Sequence, residues 1–65
     1  MEPYQQRVVD EKADLDVSLE RLKAFIGTGR FDLLGADERR RLKHQAICMI
    51  GYSSVLGERI ANFQP

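Results

Sequence analysis

The chain has 65 residues, ten acidic and ten basic side chains that cancel, one cysteine, one histidine and no tryptophan. So short a chain makes one domain at most, and its core supplies no more than roughly 3–5 kcal/mol unless a disulfide, a metal or a partner adds to it. Cys48 has no second cysteine to pair with, and His44 and Cys48 fall short of the four ligands of a structural zinc. No metal or other cofactor is therefore expected, and association with further copies is the open route to stability.

Met1 to Lys12 is polar and charged, without the apolar stretch of an export signal. No apolar run approaches the ~20 residues that span a bilayer. A free cysteine in a chain read this way gives the expectation of a cytoplasmic protein that does not enter membranes.

Tyr4, Val8, Leu15, Leu19, Leu22 and Ile26 recur at multiples of three and four, which is the spacing of one helix face. Pro3 suits a first helical turn. The pattern predicts a first helix over residues 3–26, and Gly27-Thr28-Gly29 predicts a left-handed cap with a flexible exit. Residues 30–34 follow, with Phe31, Leu33 and Leu34 too apolar for a bare loop. They are expected to make a short helical turn that lies over the end of the core as a lid.

The second long run is Leu42, Ala46, Met49, Ser53, Leu56, Ile60 and Phe63. Steps of four and three alternate without a break, making a heptad seam with Ser53 as its one polar member. Asp37 and Glu38 suit the start of a helix electrostatically, so a second helix is predicted over 36–63. The expected fold is all-α: an antiparallel helical hairpin with a short helical turn in the connection, assembling as a homo-oligomeric helical bundle.

Two fragments imitate catalytic or cofactor motifs. Gly51-Tyr52-Ser53-Ser54 begins like the G-x-S-x-G nucleophile elbow, but the second glycine position is Val55 and the stretch lies inside the heptad. Gly27-Thr28-Gly29 is half of a dinucleotide fingerprint, yet it follows a helix and has no third glycine. The composition offers no nucleophile–base pair or metal set, so a non-enzymatic protein is expected.

Glycine inside a helix costs up to about 1 kcal/mol relative to alanine. Gly51 lies away from the seam and Gly57 on its edge, either as tolerated drift or to permit close approach on a second surface. Ile47, Cys48 and Val55 also fall outside the seam. Together Ile47, Cys48, Gly51, Val55 and Gly57 are the candidate oligomer interface, since a hairpin with surplus apolar surface buries it by self-association.

Charge divides along the hairpin. Asp10, Glu11, Asp14, Asp16 and Glu20 make the first helix acidic, while Arg39, Arg40, Arg41, Lys43 and His44 make the start of the second basic. Basic side chains beside the free N–H groups of a helix start favour a phosphate or carboxylate, which makes Arg30, Arg39 and Arg41 candidate ligand-binding residues. The competing reading is a solvated face with Asp37 and Glu38 offsetting the charge. Gln45, Tyr52 and Arg59 recur every seventh residue. They suit either stacking on a small planar ligand such as a nucleobase or the polar edge of a subunit contact. Zero net charge and no groove-reading motif argue against duplex DNA.

YQQRVVDEKADLD, FIGTGRFDLLGADE and the spaced Gln45, Met49, Tyr52, Leu56, Arg59-Ile60 and Phe63 resemble a family of small phage and prophage proteins. The resemblance spans nearly the whole chain and implies a helical, phage-encoded protein of the bacterial cytoplasm, without implying an activity. Gly35 departs from the pattern where a Ser or Pro helix starter is usual, and Gly51 stands where a better helix former is. By analogy with small helical phage sponges, the leading expectation is an oligomer that binds a nucleotide signal or another anionic small ligand of the host. The alternative is a module that docks a host or phage protein on its apolar flank.

Overall fold

The computed structural model describes residues 1–64. Three helices follow in order: α1 Pro3–Ile26, α2 Gly29–Asp32 and α3 Ala36–Ala61. The first has the bounds its apolar spacing predicts. The last starts where expected but ends two residues before Phe63. Asn62 breaks it, its side chain reaching back to the Glu58 carbonyl at 2.8 Å, a bond that competes with helical continuation.

Long-range contacts fix an antiparallel register. Moving from Gln5 to Lys12 to Asp16 along α1 moves the neighbour on α3 and the segment after it from Gln64 to Gly57 to Ser53 in equal and opposite steps. At the open end Gln5 is buried, and its amide bonds the Glu2 N–H at 2.8 Å and the Gln64 carbonyl at 3.3 Å. Tyr4 and Phe63 meet edge to face at 5.9 Å between ring centres. A glutamine is tolerated here because one side chain satisfies a free helix-start donor and a chain-end acceptor together.

Mid-rod, the polar member of the seam meets two charges. Ser53 donates to Asp16 at 2.5 Å and accepts from the Lys12 ammonium at 3.1 Å, while Lys12 also bonds Asp16 at 2.7 Å. The Lys12 hydrogen bond first, and the Ser53 hydroxyl second, hold the Asp16 carboxyl below its ordinary value of 3.8.

The connection differs from expectation in two respects. No glycine has a positive φ, so there is no left-handed cap. Gly27 closes α1 at φ −83°, and Thr28 takes over the capping, donating to the Phe25 carbonyl and accepting from the Phe31 N–H. A hydroxyl that serves both helix ends removes the need for a left-handed residue. The short turn runs Gly29–Asp32 and not 30–34. Phe31 is the lid, buried against Phe25 with ring centres 6.1 Å apart. Leu33, however, is 86% exposed.

The core is thin. Among the described residues, Val8, Leu19, Phe31, Ala46 and Leu56 are its buried apolar side chains, and Leu56 alone lies below 2% exposure. The Cα envelope is a rod of 49 × 14 × 13 Å with a radius of gyration of 14.9 Å. A compact domain of this length has about 11 Å.

Two outcomes follow for stability. Leu56→Ala removes a sealed side chain at a cost of about 2–5 kcal/mol, comparable with the whole stability of such a core. Circular dichroism is expected to show the cooperative melt lost or displaced to low temperature, whereas Leu33→Ala leaves it in place. For Asp16, the unfolded carboxyl protonates first as pH falls. Its contribution to stability is therefore complete above about pH 4 and disappears as pH drops through the lower folded-state value. The melting temperature of Asp16→Asn should lie below that of the native chain near pH 7 and converge on it in acid. Parallel profiles would show that the carboxylate adds no pH-dependent stability.

Candidate functional site

The connection places Phe31 beside the start of α3, and an open groove of about 610 Å³ lies between them. Its lining is Phe31, Asp32, Ala36, Arg39, Arg40, Lys43, His44 and Ile47. The α3 residues in this set fall at helical spacings of three and four, so their side chains share one side of the helix. The volume lies within the ~300–1,000 Å³ of small-ligand sites.

Its chemistry is cationic and aromatic. The Lys43 ammonium sits 5.8 Å from the centre of the Phe31 ring. Arg39 donates to the Asp32 carbonyl at 3.3 Å, which ties the helix start to the end of the lid. Arg40 is only loosely engaged, 3.9 Å from Asp37, and so keeps most of its donors for another partner. Gly35 caps α3 without a side-chain hydrogen bond, leaving the first N–H groups, with their partial positive charge, at the same end. The arrangement suits an anion with an apolar part: cations and helix-start donors for the charge, and the exposed Ile47 for the apolar surface, with Phe31 as the buried floor.

The predicted ligand residues do not converge on this groove as a set. Arg39 lines it. Arg41 turns toward the other flank of α3 and bonds Glu38 at 3.2 Å. Arg30 lies exposed on α2, outside the lining. Gln45, Tyr52 and Arg59 are exposed along one edge of α3. With a helical rise of 1.5 Å per residue, that stripe extends for about 20 Å, longer than one small planar ligand reaches. Gln45 contacts Met49 at 3.9 Å, and Arg59 has no ion pair among the described residues.

The candidate interface residues separate as well. Ile47 is 66% exposed on the groove side of α3, and Gly57 is half-buried on the same side, where an added Cβ would lie 3.4 Å from Lys12. Gly51 borders that side with nothing within 4 Å of an added Cβ. Cys48 and Val55 occupy the back of the helix, apart from the others on the helical wheel, and both are exposed.

Sequence reasoning missed Phe31, Arg40, Lys43, His44 and Ile47 as one set. Their spacing on α3 was a usable signal, but the fifth wall is Phe31, whose position depends on the turn. Among the described residues, no three His, Cys, Asp or Glu side chains are grouped to hold a metal, and no helix is long and apolar enough to cross a membrane.

Residues 2–62 match a family model described as Sequestin. The chain is also 34% identical over 61 residues to a 7.5 kDa protein from the denB-rIIB intergenic region of Enterobacteria phage T4. That alignment takes in 94% of this chain and 95% of the phage protein. No solved structure matches. The resemblance to small phage proteins thus extends from the quoted motifs to almost the full length, and the chain belongs to the Sequestin family.

Proposed function

We propose that the chain is a phage-encoded, non-enzymatic sequestering protein that holds a small anionic ligand of the host cytoplasm in the groove at its connection end. A nucleotide second messenger fits this chemistry, so the protein acts as an anti-defence sponge. The observation that carries the reading is the Phe31–Lys43 pair flanked by Arg39 and Arg40 at an uncapped helix start. A nucleotide brings a phosphate for the cations and helix-start donors and a base whose apolar face suits the exposed Ile47 side chain. The family description, Sequestin, supports sequestration as the task. Binding without turnover also agrees with a groove whose lining holds one carboxylate, Asp32, among cations.

Ligand binding stabilises the folded state by mass action, by about 2.7 kcal/mol at a concentration of 100 Kd. In a domain this small that raises the melting midpoint by on the order of 10 °C. A panel of cyclic dinucleotides, cyclic trinucleotides and ADP-ribose derivatives is expected to contain at least one compound with such an effect. Arg40→Glu combined with Lys43→Glu should weaken it by about tenfold or more, since each charge-assisted hydrogen bond contributes about 1.5–3 kcal/mol. Arg59→Glu should leave it unchanged. A panel that moves no midpoint removes the nucleotide reading, and equal sensitivity to Arg59→Glu removes the groove as its site.

A further inference from the structure

The two-helix rod leaves one long side of α3 uncovered. Its solvent-accessible surface is 4890 Å², roughly 600 Å² more than a compact monomer of 7.5 kDa exposes. That excess is close to the ~800 Å² that one partner buries in a standard interface. The uncovered side has its own pattern. Lys43, Ile47, Ile50, Ser54, Gly57 and Ala61 follow one another in steps of four and three, a second heptad seam about a quarter-turn around the helix from the first. Ile47 and Ile50 are 66% and 50% exposed on it.

We infer that this seam pairs antiparallel with the same seam of a second copy, about a twofold axis passing near Tyr52. Residue sizes select the register. Under that axis Ile50 faces Ser54 of the second copy, Ile47 faces its Gly57 and Lys43 faces its Ala61. Each larger side chain meets a small one, and the twofold repeats every contact. Parallel pairing in register would instead set Ile50 against Ile50 and Gly57 against Gly57, giving a crowded layer followed by an empty one. Charge selects the same direction. Antiparallel pairing brings Arg40, Lys43 and His44 alongside Glu58 of the second copy, whereas parallel pairing puts Lys43 beside Lys43. The opposite edge of α3 also exposes Tyr52 and Val55, at 46% and 53%, but alternates them with Gln45 and Arg59 and lacks the pairing of large with small residues. On the flank of α1 beside this seam, Val9 and Ala13 add small apolar surface, so two hairpins close into a four-helix bundle.

The pairing also changes the groove. Lys43, His44 and Ile47 belong to its lining, and the register sets Gly57, Glu58 and Ala61 of the second copy opposite them. An open groove on one chain becomes a cleft with a wall from each, twice per dimer. This last step rests on the groove being the ligand site proposed above, whereas the self-pairing stands without it.

Light scattering of the purified chain should give twice its 7.5 kDa mass. Ile50→Glu should return it to the single-chain mass while circular dichroism shows the helices retained. If that variant loses its helices, Ser54→Leu serves in its place, since it is exposed in the hairpin and overfills the paired layer. Register is read by cross-linking in a Cys48→Ser background. Ile50→Cys with Ser54→Cys should give a covalent dimer on mild oxidation, and each single cysteine should give several-fold less. A single-chain mass for the native protein overturns the inference and leaves the seam to another protein. Equal cross-linking by the single variants overturns the register. A dimer that binds no nucleotide removes the sequestration reading alone. Full binding by single-chain Ile50→Glu removes the shared cleft alone.

Discussion

The hydrogen bonds among Lys12, Asp16 and Ser53 set the height at which α1 and α3 meet, and the remaining geometry depends on that height. Apolar seams tolerate a shift by one heptad, because leucine against isoleucine differs little from leucine against leucine. A serine that gives its proton to one carboxylate and accepts from one ammonium does not. Slipping α3 would leave these groups short of partners, and an unpaired polar group inside a seam costs about 1–3 kcal/mol. The clasp need not be strongly stabilising to act this way. Lys12 and Asp16 are both partly exposed, where ion pairs contribute little to net stability. Their effect is to penalise the alternatives.

Once that register is fixed, the connection has little freedom. Thr28 ends α1 and begins α2 through the same hydroxyl, which turns the chain without a left-handed residue. Phe31 is thereby carried over the Phe25 end of the core, and the Lys43 ammonium, two turns into α3, lies over its ring. Arg39 then bonds the Asp32 carbonyl. The groove is thus a by-product of closing the hairpin. Its cations are clustered at a helix start, where the macrodipole opposes them, an unfavourable placement that a bound anion would relieve.

Much of this was legible in the residues. The spacing from Tyr4 to Ile26 gives the approximate extent of α1, and the heptad from Leu42 to Phe63 identifies the buried side of α3. The lid was readable from Phe31, because an apolar ring in a tight connection has few places to go. Leu33 has the same chemistry and stands in solvent, since a four-residue helix turns only one side chain inward. Gln5 was not legible as buried for a related reason. Its spacing to Val8 places it on the seam, but a polar residue there registers only when the chain end supplying its acceptor is located. The Gln45, Tyr52 and Arg59 repeat shows the converse limit. A period of seven marks a line along a helix, and the rise per residue decides whether that line is a site.

The glycines of α3 connect these levels. Each lowers helix stability by about 1 kcal/mol relative to alanine, and in a rod with so thin a core such losses are proportionally large. Within one chain, only Lys12 comes near Gly57 and nothing fills the space beside Gly51, so packing inside the hairpin does not demand either. Across an antiparallel pair the requirement appears, because Ile47 needs a shallow position opposite it and two backbones need room near the twofold axis. Serine at position 54 and alanine at 61 continue the same series of small side chains. In the inferred pairing, the points at which the longest helix is weakened are those where a second helix would come closest, and the gain in close approach would offset the loss in helix stability.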